Sequence, residues 1–179
     1  MKQGDKTMKF PTVENAALVM IDMQQKLLPA MSDPQTVLDR NIVLLTAAAE
    51  MGLDVLVTEQ YPKGLGHTVP ELATWLNESV PVVEKSSFSV FGSERFCAEL
   101  SKRRREVLIF CGIEAHVCVM QSALDALAKG YEVIVVADAV RSRKTADCEC
   151  ALQTLRDCGA IVLGTESVLF MLLRGFGES

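Results

Sequence analysis

The sequence predicts a three-layer α/β sandwich: a mainly parallel, Rossmann-like sheet of six strands with helices on both faces. Three observations lead there. Six short runs rich in Val, Ile and Leu recur along the chain, several of them are continuously apolar, and helical patterns with clear start and stop residues separate them. Strands that read as unbroken apolar runs are covered on both faces, as in a parallel sheet. Alternating strands and helices connect by right-handed crossovers, which lay helices on both sides.

The predicted strands are Ala16 to Ile21, Asp54 to Thr58, Val80 to Glu84, Val107 to Cys111, Glu132 to Ala137 and Ala160 to Leu163. Between the first two, Ser32-Asp33-Pro34 supplies a cap and a first-turn proline. Leu38, Ile42, Leu45 and Ala49 then recur at helical spacing until Gly52. Val117, Met120, Leu124 and Leu127 repeat the pattern and stop at Gly130. A further helix starts at Ser142 or Thr145 and closes at Gly159, and a last one covers Glu166 to Leu173.

A chain of 179 residues that is 49% hydrophobic can bury one large core, and no repeat, low-complexity tract or linker divides it. One domain over residues 1–179 is expected. A net charge of −5 argues against a nucleic-acid partner, which needs a basic face. Lys102 to Arg105 is a basic run, but it falls near a helix end, where cations are favoured. The first residues are polar, and no stretch nears the roughly 20 apolar residues that span a bilayer. The expectation is a cytoplasmic protein without a membrane partner. Most of the six cysteines read as reduced, buried, small hydrophobes. Cys148 and Cys150 resemble a metal pair, yet residues two apart on a helix point to nearly opposite faces.

Ligands of open α/β sheets bind beyond the carboxyl ends of the strands. Three reactive groups fall there: Asp22 after the first strand, Lys85 after the third, and Cys118 in the turn after the fourth. Cys118 sits in the first turn of the predicted Val117 to Lys129 helix, where the dipole should lower its pKa below about 8.5. Asp22 could take its proton, and Lys85 could support the thiolate. Each residue also has a plainer reading. Cys118 could be a packed residue, Asp22 a cap for the Met23 to Leu28 turn, and Lys85 a solvated charge.

Three segments resemble the isochorismatase-like cysteine hydrolases. They are ALVMIDMQ (Ala17 to Gln24), VEKSSFSVF (Val83 to Phe91) and GIEAHVCVMQSALDALAKGYEVIVVADAVRSR (Gly112 to Arg143). They run in that family's order and spacing over nearly the whole chain. GIEAHVC is a phrase of its isochorismatase domain-containing branch. The resemblance implies an Asp-Lys-Cys triad at Asp22, Lys85 and Cys118. It also implies a cis peptide at Ile113–Glu114 that aims the N–H groups of Glu114 and Cys118 at an oxyanion. Such donors are worth about 3 kcal/mol each. The implied activity is metal-independent hydrolysis of a small amide-like carbonyl compound through a thioester. A catalytically idle binding or scaffold protein of the same fold is the alternative. The family pattern and the apolar helix faces also suggest a homo-oligomer, a dimer or higher.

The nicotinamidases of that superfamily carry an aspartate and histidines after the second strand to hold a divalent metal. Here TEQYPKGLGHT (Thr58 to Thr68) offers Glu59 and one histidine, His67, so no metal or cofactor is expected. Isochorismatase itself lacks the cysteine and cleaves a vinyl ether. The loop Gln60 to Thr68 should border the pocket, with Gln24, Tyr61, Leu65, His67, Phe88 and His116 as candidate contacts and Phe91 beside Phe88. His116, two residues before Cys118, invites a Cys-His reading, although Asp22 already fills that role in the family. Glu114 could touch substrate or face solvent. Arg141 and Arg143 could bind an acidic substrate, pair across a subunit boundary or lie on the surface. A dinucleotide fails on sequence, because Asp22-Met23-Gln24 stands where glycine-rich phosphate turns would be.

Overall fold

The computed structural model describes residues 9–175. Its sheet is made of β1 (Ala16–Ile21), β2 (Asp54–Gln60), β3 (Val82–Lys85), β4 (Val107–Ile113), β5 (Glu132–Arg141) and β6 (Ile161–Leu163). The strands lie in the order β3-β2-β1-β4-β5-β6, and every pairing is parallel. The helices are α1 (Pro34–Met51), α2 (Pro62–Leu65), α3 (Pro70–Ala73), α4 (Glu94–Arg103), α5 (Met120–Ala128), α6 (Thr145–Asp157) and α7 (Thr165–Leu173).

All six residues of β1 are buried, and they alternate between two cores. Ala16, Leu18 and Met20 pack with Leu38, Leu45 and Ala48 of α1, Leu72 of α3 and Val168 of α7. Ala17, Val19 and Ile21 pack with Phe96 and Leu100 of α4, Ala123 and Ala126 of α5, and Leu155 of α6. That alternation is the period-2 geometry of a strand covered on both faces.

Local chemistry explains the boundaries. The Asp33 carboxylate accepts from Thr36 N at 3.2 Å, Pro34 opens α1, and Gly52 closes it at φ 69°. Ser93 caps α4 in the same way, and Lys102 and Arg103 fall in its last turn. Strand β3 starts two residues later than expected because Pro81 has no N–H to donate; its carbonyl still accepts from Val57 N. Ala160 closes α6 through a bond from its N–H to Leu155 O, so β6 begins one residue on. At the opposite ends the strands outrun their apolar sequences. Gln60 pairs with Lys85, Ile21 with Gly112, and Ile113 with Arg141. The backbone ladder continues into polar residues at the rim, and Lys85 is the last residue of β3, not the first after it.

The cysteines depart from expectation. Cys111, Cys118 and Cys148 are buried, Cys97 is half-buried, and Cys150 and Cys158 are exposed. Cys148 and Cys150 do face opposite ways from α6, as helical geometry demands.

Strands β1 and β4 meet at the point where the strand order reverses, and Gly112 makes their contact close. Its φ is 103°, and a Cβ there would stand 2.1 Å from Ile21 O. Only glycine tolerates both constraints. Gly112→Ala should destabilise the fold by at least about 2 kcal/mol, the combined scale of backbone strain and a clash with backbone atoms. Urea unfolding reads this directly. An unchanged midpoint would show that the two strands do not approach as closely as described.

Candidate active site

Asp22 is the first residue beyond β1 and is held in the left-handed region at φ 52°. Aspartate tolerates that region better than most residues, and such conformations cluster at functional sites. Its N–H donates to Thr58 O at 3.1 Å. Thr58 Oγ1 donates to Asp22 Oδ1 at 2.7 Å, and Lys85 Nζ donates to Oδ2 at 2.7 Å. Both carboxylate oxygens therefore face the site. The turn that follows is closed by backbone, with Gln24 N on Asp22 O, so Asp22 does not cap it with its side chain.

Lys85 is not a solvated charge. Its side chain and that of Asp22 are both 0% exposed, and together they form a buried ion pair. Its ammonium also reaches Gln60 Oε1 at 2.7 Å, Phe88 O at 3.1 Å and Ser87 O at 3.2 Å. Three N–H bonds meet four acceptors, so the charge is fully solvated by protein.

Cys118 comes to the same place from β4. The chain leaves Ile113 through a cis peptide to Glu114 and winds through a wide π-type turn, Ala115–Val119, before α5 begins. Cys118 therefore lies in that turn, not in the first turn of a regular α-helix. The residue is 7% exposed, and both Asp22 and Lys85 act on its thiol by charge and hydrogen bonding. The expected fall in its pKa is not what the surroundings produce. Burial, followed by the negative charge of Asp22, pushes the thiol up to about 12, against the opposing pull of Lys85. At neutral pH the group is a thiol, with the Asp22 carboxylate beside it.

Neighbouring side chains fix this turn. Glu114 Oε2 accepts from the backbone N and the Nε of Arg143, both at 3.1 Å, so its carboxylate is neither solvent-facing nor free. His116 Nδ1 shares a 2.8 Å bond with Ser142 Oγ, which commits the ring to the β5–α6 loop and not to Cys118. Ser122, fully buried, donates to Cys118 O at 2.6 Å and accepts from Val90 N at 3.0 Å. It ties the turn to the segment that cradles Lys85. Arg141 reaches Asp33 at 3.8 Å within the chain.

The other expected contacts divide. Gln24 is 0% exposed: its Oε1 accepts from Gln60 N at 2.7 Å, and its Nε2 donates to Gln60 O and Gly66 O. It is a clamp between the ends of β1 and β2, with no polar atom left for a pocket. Tyr61, at φ 37°, and Phe88 are 60% and 53% exposed; Tyr61 follows β2, Phe88 follows β3, and both are joined to Lys85. Tyr61 N donates to Lys85 O, and Phe88 O accepts from its ammonium. Leu65 and Phe91 are half-buried. Glu59 accepts from Thr68 N at 2.6 Å, Thr68 Oγ1 at 2.8 Å and His67 Nδ1 at 2.9 Å. Burial pushes Glu59 up, but those bonds outweigh it and hold the carboxyl below its usual range, while Glu59 raises His67. The pair thus pins the loop after β2. Among the described residues no three His, Cys, Asp or Glu side chains converge in a way that could hold a metal ion.

Two residues at this site were not singled out by sequence: Thr58, and Gln60, which opens the loop expected to border the pocket. They sit two apart at the end of β2, next to β1, so period-2 geometry turns them to the same face. The pairing of β2 with both β1 and β3 was the signal that could have found them.

Comparison with known proteins places the fold in a family. The isochorismatase domain family matches residues 16–167. Isochorismatase domain-containing protein 2 of Danio rerio is 37% identical over 163 residues, covering 91% of this chain and 81% of that protein. Among solved structures, one described as the MAR1 ribonuclease of Caenorhabditis elegans is 36% identical, with a TM-score of 0.88 over 93% of this chain and 85% of the other. YcaC of Pseudomonas aeruginosa, carrying covalent acrylamide, is 26% identical with a TM-score of 0.87 over 95% and 86% of the two chains. YcaC of Escherichia coli, described as an octameric hydrolase of unknown specificity, is 25% identical with a TM-score of 0.88 over 96% and 85%. With a family match that runs from β1 into α7, and a relative this similar over nine-tenths of this chain, the chain belongs to the isochorismatase family of hydrolase-fold proteins.

Proposed function

We propose that this chain is a metal-independent cysteine hydrolase that cleaves a small, non-peptide amide-like C–N bond through a thioester, as one hydrolase domain. The observation that carries the reading is the buried Asp22–Lys85 ion pair whose two charges act on the Cys118 thiol. A fold has little stabilising use for such a pair, because desolvating both charges offsets most of their attraction.

The reaction runs in two halves. Asp22 takes the thiol proton as Cys118 Sγ attacks the carbonyl carbon, and Lys85 offsets the negative charge gathered around Asp22 and sulfur. The tetrahedral oxyanion is met by the N–H groups of Glu114 and Cys118. Its collapse breaks the C–N bond, and the amine leaves with the proton from Asp22. Asp22 then takes a proton from water, whose oxygen attacks the thioester carbon. The acid departs, and the proton returns to the thiolate. A thiol with a pKa of about 12 suits this scheme. Asp22 acts directly on the thiol, so the thiolate need exist only as sulfur attacks.

The acrylamide bound covalently to the Pseudomonas aeruginosa YcaC supports electrophile chemistry on this scaffold. The octameric YcaC of Escherichia coli supports a homo-oligomer here. Free, exposed Cys150 and Cys158 suit a reducing, cytoplasmic setting, and no helix among the described residues is long and apolar enough to cross a membrane. RNA is not favoured as a substrate. The chain is acidic overall, and its basic run is engaged: Lys102 and Arg103 pair with Glu99, and Arg105 with Asp54. The low exposure and high pKa of Cys118 are what an idle binding member would also show, and reactivity separates the two readings.

A panel of small amides, ureides and acyl compounds should yield a substrate whose turnover Cys118→Ala abolishes and whose acyl group adds to Cys118 in intact-protein mass spectra. Undiminished turnover in that variant rules the mechanism out. Asp22→Asn should have two opposite effects. Removing the charge lowers the pKa of Cys118, read by thiolate absorbance against pH, while loss of the base lowers turnover by at least about a hundredfold. Lost turnover with the pKa of Cys118 unchanged or raised would assign Asp22 a structural role instead.

A further inference from the structure

Gln60 gives the Lys85 ammonium a neutral side-chain oxygen, and the geometry leaves its orientation no freedom. Its Oε1 lies 2.7 Å from Lys85 Nζ, as close as the Asp22 carboxylate, and its Nε2 donates to Ser86 O at 2.9 Å. A lysine ammonium has no lone pair, and a carbonyl has no proton. The amide therefore cannot be reversed without placing donor against donor and acceptor against acceptor. The backbone is held as firmly. Gln24 accepts from Gln60 N at 2.7 Å and donates to Gln60 O at 2.9 Å, both from a fully buried side chain. Thr58, two residues earlier on the same face, holds the other oxygen of Asp22. The end of β2 thus grips both members of the ion pair, Asp22 through Thr58 and Lys85 through Gln60.

A carboxylate at position 60 would satisfy the same ammonium and keep nearly the same shape. It would also bring a second negative charge to the one cation available to the sulfur. Charges in a water-poor site act strongly on each other, so a second anion beside Lys85 would disfavour a thiolate at Cys118. A neutral acceptor positions Lys85 without spending its charge.

We infer that Gln60 is a positioning residue for the reaction, and that it acts by binding the Lys85 ammonium with a neutral oxygen so that the positive charge remains directed at Asp22 and Cys118. This rests on the Asp22–Lys85–Cys118 reading above.

Two variants separate charge from shape, with the alkylation rate of Cys118 by chloroacetamide measured against pH and read by peptide mass spectrometry. Gln60→Glu keeps the shape and adds the charge. It should slow alkylation at neutral pH by about tenfold, the effect of one pKa unit, and move the rate profile to higher pH. Gln60→Met removes the acceptor without adding charge. It should lower turnover through a less restrained Lys85 but leave the position of the profile unchanged. A Gln60→Glu protein with the wild-type profile, or equal displacement of the profile in both variants, overturns the inference and leaves Gln60 a packing residue. The parent reading fails differently, with Gln60 intact, if Cys118→Ala leaves turnover undiminished.

Discussion

The Asp22–Lys85 ion pair, sealed from water at the carboxyl ends of β1 and β3, is the interaction on which the rest of the site depends. Two charges withdrawn from solvent cost several kcal/mol each, and only close geometry with further hydrogen bonds recovers that cost. The surroundings supply both. Thr58 occupies the second oxygen of Asp22, and three further oxygens cover the ammonium of Lys85. The polar residues at this rim, the left-handed backbone at Asp22 and the Gln24 clamp all serve to keep two opposite charges 2.7 Å apart.

Topology makes that meeting possible. Residues 22 and 85 are far apart in the chain, but β2 lies between β1 and β3 and pairs with both. Strand β4 flanks β1 on its other side, and its glycine approaches Ile21 closely enough to bring the Cys118 turn onto the pair. The site thus sits at the reversal of strand order, where an open parallel sheet leaves a crevice. The turn that carries Cys118 is joined to its neighbours by side-chain bonds: Arg143 on Glu114, Ser142 on His116, and Ser122 on Cys118.

The sheet was legible from residues because burial on both faces writes itself as continuous apolar runs, as in Ala16 to Ile21 and Val107 to Cys111. Strand ends were less legible, since backbone pairing carries Gln60, Ile113 and Arg141 into the ladder after the apolar signal stops. Asp22, Lys85 and Cys118 could be picked out as groups at strand ends, but their burial could not. That gap explains the inverted expectation for Cys118: the helix start was visible, whereas the apolar enclosure and the adjacent carboxylate that raise the thiol's pKa belong to the tertiary structure. Gln60 and Thr58 carried no signal of their own, because amides and hydroxyls at strand ends are ordinary until the neighbouring strand is known. Gln24 and His116 were expected at a pocket and are bonded into the frame instead.

If Asp22 and Lys85 act as one unit on the sulfur, their contributions to turnover cannot be independent. A double-mutant cycle tests this most directly, with turnover measured for the wild type, Asp22→Asn, Lys85→Met and the double variant, and folding checked for each. The expected result is strong non-additivity, with each single change costing nearly as much as both. Losses that multiply in the double variant would contradict it, because they would mean that the two charges reach the reaction separately.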